Sequence, residues 1–290
     1  MKLYSPAAIR DIKDRYGFKL SKSLGQNFLT DKNIIDKIIE SSLITKDDMV
    51  IEIGPGIGVL TAEAAQAAGK VIAVEIDKNL IPILKETLAE FDNVEIVNQD
   101  ILKTDLNRLI AENGYDKVRI IGNLPYYITT PIIMKLLEDG VRADSITVMM
   151  QKEVADRIKA APGTKAYGAL SLAVQYYCTV EAVAKVPKEV FFPQPKVDSA
   201  VLRLDIRGEK PVKLKDERVF FACIKAGFGQ RRKTLLNSLT GVCGLGKEEV
   251  LGVLETAGID PVRRAETLSL EEFAALANAA CDCGMQNGER

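Results

Sequence analysis

Met49-Val50-Ile51-Glu52-Ile53-Gly54-Pro55-Gly56-Ile57-Gly58-Val59-Leu60 is a short apolar run that breaks into spaced glycines and re-emerges as a helix-forming stretch. It reads as a strand over Met49–Ile53, a tight turn, and a helix over Val59–Ala68, the unit from which parallel sheets are assembled. Glycines in such a turn let a ligand approach both the backbone and the helix N-terminus. The spacing is G-x-G-x-G, not the G-x-G-x-x-G of dinucleotide sites, and Pro55 removes an N–H that a pyrophosphate cradle would use.

Downstream the alternation continues. Val71–Ile76, Val94–Val97, Val118–Ile121 and Ile146–Met149 read as strands, separated by helical stretches over Leu80–Glu90, Leu106–Glu112 and Ile132–Leu137. Upstream, Asp31 caps a helix carrying Ile34, Ile35, Ile38 and Ile39 on one face. The expectation is an α/β fold with a mostly parallel sheet covered by helices on both faces. Gly168–Val180 then reads as a helix, Val197–Ile206 as a strand in an antiparallel pair at the sheet's edge, and the charged, Pro-containing Arg207–Lys215 as a linker. Beyond it only helical signals remain, including Ser269 and Glu272, a capping box opening Leu270–Ala280. Two domains follow: residues 1–206, with an N-terminal extension 1–48, and a smaller all-α domain 207–290.

The chain has 290 residues, 47% of them hydrophobic and 27% charged, the composition of a globular protein. No apolar run approaches the length of a membrane span, and the N-terminus alternates apolar and charged residues (Ile9, Arg10, Asp11, Ile12, Lys13), so no membrane partner and a cytoplasmic location are expected. Five scattered cysteines read as free thiols, and no metal site is expected. The absence of histidine removes Ser-His, Cys-His and His-metal chemistry, leaving carboxylates, amides, backbone groups or a reactive cofactor. Net charge is −1, yet residues 185–235 hold 13 Lys/Arg against 6 Asp/Glu and residues 1–37 hold 8 against 4. Such basic stripes on an otherwise acidic chain are the footprint of phosphate contact.

Three strand tips carry the chemistry. Gly54 and Gly56 lie at the first, Glu75 ends the second, where a carboxylate can accept both ribose hydroxyls of a nucleoside, and Asp100 follows the third, suited to an adenine amino group. These converge on a nucleoside cofactor. The fourth ends in Gly122-Asn123-Leu124-Pro125-Tyr126-Tyr127. The lone pair of an aromatic amine is delocalised into its ring; if the Asn123 side-chain oxygen and the Leu124 carbonyl accept its two N–H protons, the nitrogen can pyramidalise and aim at a methyl group. Pro125 stiffens that carbonyl, and Tyr126 offers a face for the base. Phe191 and Phe192 could close a second aromatic wall, stacking being worth roughly 1–3 kcal/mol per base, which helps offset extruding the base from its helix.

These residues resemble the KsgA-type ribosomal RNA adenine dimethyltransferases over nearly the whole chain. The likeness rests on Leu24-Gly25-Gln26-Asn27-Phe28-Leu29, Glu52 to Gly58, Asn123 to Tyr126 with Thr129-Thr130-Pro131, Gln151-Lys152-Glu153-Val154, Tyr167-Gly168, Phe191 to Ser199, and Arg264 to Ser269. It implies a Rossmann-like class I sheet, S-adenosylmethionine as cofactor, and dimethylation of N6 on two adjacent adenosines near the 3′ end of 16S rRNA, in the small ribosomal subunit or its precursor. It further implies that Asn27, Leu29, Gly54, Gly56, Glu75, Asp100 and Asn123 line the cofactor pocket, that Asn123, Leu124, Pro125 and Tyr126 handle the base, and that Phe191 stacks on it. Lys196, Lys225, Arg231, Arg232 and Lys233 are the basic residues expected on RNA, and a monomer is expected. Alternatives are a large-subunit (23S) adenine methyltransferase of the macrolide-resistance type, an assembly factor that acts mainly by binding, a nicotinamide dehydrogenase, and a DNA adenine methyltransferase.

Overall fold

The computed structural model describes residues 2–17 and 25–288, with side chains to residue 284. Leu24 of the first motif lies outside the described residues. In chain order the elements are α1 (Pro6–Tyr16), β1 (Phe28–Leu29), α2 (Lys32–Ser41), β2 (Asp48–Ile53), α3 (Val59–Ala67), β3 (Lys70–Glu75), α4 (Ile81–Thr87), β4 (Val94–Asn98), α5 (Leu106–Asn113), β5 (Lys117–Asn123), α6 (Thr129–Glu138), β6 (Ser145–Gln151), α7 (Lys152–Ile158), α8 (Ala169–Tyr177), β7 (Cys178–Val186), β8 (Phe191–Phe192), β9 (Ser199–Ile206), α9 (Glu217–Gly229), α10 (Leu235–Leu239), α11 (Lys247–Thr256) and α12 (Leu270–Gly288).

Seven strands form one sheet in the order β4-β3-β2-β5-β6-β9-β7. β2 pairs in parallel with β3 on one side and β5 on the other, and β3–β4 and β5–β6 are also parallel. The central position of β2 explains its unbroken apolar run: Met49, Val50 and Ile51 are covered on both faces, so there is no solvent side to produce alternation. Sequence order reverses at β2, with later strands laid first to one side and then to the other. That leaves a crevice between the carboxyl ends of β2 and β5, where open α/β sheets take their ligands.

At the far edge β9 runs antiparallel to β6, in a register pairing Gln151 with Ser199 and Met149 with Val201, and β7 lies beside β9. The helix expected over Gly168–Val180 stops at Tyr177, and Cys178–Val186 is strand. No Gly or Pro marks that stop; β-branched Thr179, Val180 and Val183 go extended once an edge is there to pair with. A helix not expected from the sequence, α1, precedes the Asp31 helix. Ser5 accepts a hydrogen bond from Ala8 N at 3.1 Å, Pro6 opens the helix, and Gly17 ends it at φ 58°. The Asp31 cap forms, its carboxylate accepting from Asn33 N and Ile34 N at 2.8 and 3.3 Å. So does the Ser269–Glu272 box, at 2.8 and 3.2 Å.

The chain divides into two compact units, Met1–Ala155 with Thr179–Ile206, and Asp156–Cys178 with Arg207–Arg290. In the first, Ile9 and Ile12 of α1 and Ile34, Ile35 and Ile38 of α2 join Val50, Val71 and Ile121 of the sheet in one core. In the second, Phe220, Ile224, Leu254 and Phe273 are buried with Tyr167, Leu172 and Tyr176. Those last three residues differ from a cut at residue 206 alone: they pack with the helical unit, and Tyr167 Oη donates to Leu268 O at 2.9 Å.

Candidate active site

Asn27, Leu29, Gly54, Gly56, Glu75, Asp100, Asn123, Leu124, Pro125 and Tyr126 all line one cleft at the carboxyl ends of β2, β3, β4 and β5. The turn after β2 is built on left-handed glycines, with φ of 70° at Gly54, 62° at Gly56 and 89° at Gly58. Gly54 N donates to Val74 O at 3.0 Å, clamping the turn to β3. A Cβ on Gly56 would stand 2.9 Å from Phe28 Cε1, so only glycine admits that ring.

Glu75 is 5% exposed. Its carboxylate accepts from Gly56 N at 3.2 Å and Asp77 N at 2.8 Å, which locks the side chain between the glycine turn and its own strand end. Burial still outweighs those bonds and pushes Glu75 up to about 6. Asp100, half-buried, is held by Leu102 N at 3.0 Å. Glu52, which composition alone did not single out, is 1% exposed on this cleft. Burial, reinforced by the Glu75 charge, pushes it up to about 8, and its Oε2 has no hydrogen-bond partner among the described residues. Left-handed glycines, two carboxylates at successive strand tips and an unpartnered buried carboxyl oxygen fit a ligand with a ribose, an amino-bearing base and a cationic end. S-adenosylmethionine has all three, and Pro55 argues against a pyrophosphate.

Asn123, Leu124 and Pro125 line the same cleft. Asn123 Nδ2 donates to the carbonyl of Asn27 at 2.8 Å, which turns Oδ1 the other way. Leu124 N donates to Met149 O at 3.0 Å, and Pro125 O is taken up by Thr129 Oγ1 at 2.9 Å. Among the described residues neither Asn123 Oδ1 nor the Leu124 carbonyl receives a hydrogen bond, so two acceptors are left for a substrate. Tyr126 is fixed by a 2.5 Å hydrogen bond between its Oη and Ser199 Oγ. The sequence motifs carried these residues, but neither the Asn27 carbonyl as orienter nor Ser199 as anchor could be read from spacing, because the partners are 96 and 73 positions away.

Phe191 lies elsewhere. It is 4% exposed, sits in the core with Leu29, and does not line the cleft. Leu29 pairs with Phe191 and Phe28 with Phe192 in a two-stranded antiparallel ribbon, so the Phe191 segment reaches the cleft through the residues it pairs with. Lys196, Lys225, Arg231, Arg232 and Lys233 are all exposed. Lys196 belongs to the first unit; the other four follow α9 or lie on it. Arg231 is engaged already, donating to Lys165 O at 3.1 Å and facing Glu266 at 3.3 Å.

A family model for ribosomal RNA adenine dimethylase matches residues 17–280. The chain is 56% identical over 279 residues to a ribosomal RNA small subunit methyltransferase A of Clostridioides difficile, covering 96% of each. It is 52% identical to the protein of the same name from a Geobacillus strain, covering 95% of this chain and 96% of that one. Among solved structures, a dimethyladenosine transferase from Plasmodium falciparum superposes with a TM-score of 0.76 at 28% identity, covering 88% of this chain and 98% of that one. The 23S rRNA methyltransferase ErmE gives 0.66 at 29%, covering 87% and 98%. Among the described residues no helix is long and apolar enough to cross a membrane.

Proposed function

The chain belongs to the ribosomal RNA adenine dimethylase family, and from that premise we propose that the β2–β5 crevice is where it transfers methyl groups to N6 of adenine. It is an S-adenosylmethionine-dependent rRNA methyltransferase of the small-subunit type. We place its targets at two adjacent adenosines near the 3′ end of 16S rRNA, reached by a monomer in the small subunit or its precursor.

The cofactor supplies a methyl carbon on a sulfonium, which leaves as a neutral thioether, so positioning and dipoles count for more than a strong base. Glu75 takes the ribose hydroxyls, Asp100 the adenine amino group, and Asn27, Leu29, Gly54 and Gly56 the surrounding walls. Asn123 Oδ1 and the Leu124 carbonyl accept hydrogen bonds from the two N6 hydrogens of the target base and localise its lone pair, and the nitrogen loses one proton to solvent once the methyl has been transferred. Asn27 holds the Asn123 amide in the orientation that makes this possible, and Pro125 holds the carbonyl. Tyr126, anchored on Ser199, forms the stacking wall. The exposed Lys196, Lys225, Arg232 and Lys233 hold phosphates.

The observation that carries this reading is the pair of free acceptors, Asn123 Oδ1 and Leu124 O, at the strand tip next to the glycine turn. Incubation of the protein with undermethylated small subunits and labelled cofactor should yield N6,N6-dimethyladenosine in 16S rRNA. Label confined to 23S rRNA would assign the chain to the ErmE-like activity instead.

A further inference from the structure

We propose that Tyr127 is a positioning residue for the cofactor: its ring is the outer wall over the nucleoside half of the cleft, and its displacement gates cofactor exchange between successive methyl transfers. The inference rests on the assignment of the cleft given above.

The two adjacent tyrosines are held differently. Tyr126 is tied by its hydroxyl to Ser199. Tyr127 lines the same cleft, yet it is 55% exposed, and its phenol makes no hydrogen bond to the described residues. Its ring rests on Gly25: a Cβ placed there would meet Tyr127 Cδ1 at 3.4 Å, Cε1 at 3.6 Å and Pro125 Cβ at 3.7 Å. Gly25 is itself at φ 61°, a conformation that favours glycine. Burial, then the charges of Asp100 and Glu75, push the phenol up from its ordinary value. The hydroxyl end is therefore within electrostatic reach of the two acids assigned to the adenine and the ribose.

Among the described residues the ring thus rests on Gly25, and more than half of its surface is exposed. It can swing without emptying the core, because it is not part of the core. An aromatic face left in water gains by covering a purine or ribose, which also excludes water from the carboxylate bonds beneath. An enzyme that delivers two methyls to one nitrogen has to release a spent cofactor and accept a fresh one, and a wall whose phenol has no hydrogen-bond partner among the described residues permits that while Asn123 and Tyr126 stay fixed.

The chain contains no tryptophan, so Tyr127→Trp creates a single fluorescent reporter at the wall. Saturating S-adenosylhomocysteine should protect that tryptophan from acrylamide quenching; unchanged quenching, with binding confirmed by calorimetry, overturns the proposal. Tyr127→Ala should weaken S-adenosylhomocysteine about tenfold, the loss expected for one aromatic stacking contact, and raise KM for S-adenosylmethionine by more than it lowers kcat. Tyr127→Phe should restore both. An Ala variant with wild-type affinity, or a Phe variant as weak as Ala, overturns the proposal; unchanged circular dichroism and melting show that the variants fold. If the wild-type protein itself fails to bind S-adenosylhomocysteine, the assignment of the cleft has fallen, a result distinct from failure of the Tyr127 variants alone.

Discussion

Replacing Asn123 by aspartate alters one group: the Nδ2 that donates to Asn27 O at 2.8 Å becomes an oxygen. The side chain keeps its length and still offers an acceptor, indeed a stronger one. If an acceptor were all that N6 activation needs, Asn123→Asp would work as well as the wild type. The structure argues the reverse. Two oxygens with no proton between them at that separation repel, and an acceptor robbed of its donor in a half-buried site costs about 1–3 kcal/mol. The carboxylate therefore rotates away or takes up a proton. Rotation removes one of the two acceptors; loss of one preorganised group of this kind costs about 100- to 1000-fold in kcat, or about 2.7–4 kcal/mol. Protonation has the opposite effect: a carboxylic O–H can donate to Asn27 while its carbonyl oxygen faces the substrate, much as the amide does. The variant's residual kcat should thus rise as pH falls toward its carboxyl pKa, whereas Asn123→Ala should lose as much and show no such rise. Initial rates of labelled methyl transfer to undermethylated small subunits, at saturating cofactor and across pH about 5.5 to 8, measure this. An aspartate variant within about threefold of wild type, or one whose pH profile matches that of the alanine variant, would refute the orienting role of Asn27.

Three further outcomes are expected. Gly56→Ala imposes a left-handed conformation costing about 1–2 kcal/mol and drives a methyl to 2.9 Å from the Phe28 ring; denaturant melts should show lower stability together with weaker S-adenosylhomocysteine binding, and normal binding would contradict the close-approach argument. Glu75 titrates near 6 when folded and at 4.5 in its ordinary state, so the folded chain holds the extra proton between those values and the cost of charging Glu75 grows as pH rises through them. Glu75→Gln should therefore stabilise the unliganded protein at neutral pH by up to about 2 kcal/mol while weakening the cofactor. In the wild type, affinity should fall about tenfold by pH 5, and a flat calorimetric profile there would count against the ribose contact. Arg232→Ala with Lys233→Ala should lower the salt dependence of rRNA binding by about one unit of slope per residue at unchanged melting temperature, whereas Arg231→Ala should also destabilise the helical unit through loss of its ties to Lys165 and Glu266.

The strand tips were legible because each is a local pattern. Apolar runs ending at Gly54, Glu75, Asp100 and Asn123 put chemistry at carboxyl ends, and parallel pairing brings such ends together without further instruction. What stayed hidden depends on partners distant in sequence. Nothing local to Phe191 says that it pairs with Leu29 and is buried there, and nothing local to Tyr167 says that it packs among Phe220 and Phe273. β7 was hidden for a related reason, since its strand character is realised only beside β9. Glu52 was passed over because a carboxylate in an apolar run reads as a strand end, and only its buried position, central in the sheet, with an Oε2 that has no hydrogen-bond partner among the described residues, makes it significant.

The same topology explains why Asn123 follows a glycine. β2 and β5 are neighbours in register, Glu52 opposite Ile121, so the residue after Ile121 comes up against the end of β2. A Cβ on Gly122 would lie 2.7 Å from Ile53 O, a backbone atom that cannot yield without parting the strands. Glycine at 122 therefore lets the two tips close, and closing them puts the Asn123 amide beside the turn that begins at Gly54. Since that turn is in turn clamped to β3 through Val74 and bonded to Glu75, the acceptor side and the cofactor side of the cleft are fixed to one another by backbone contacts. Methyl transfer with no histidine and no strong base needs that rigidity, because what it has to supply is alignment.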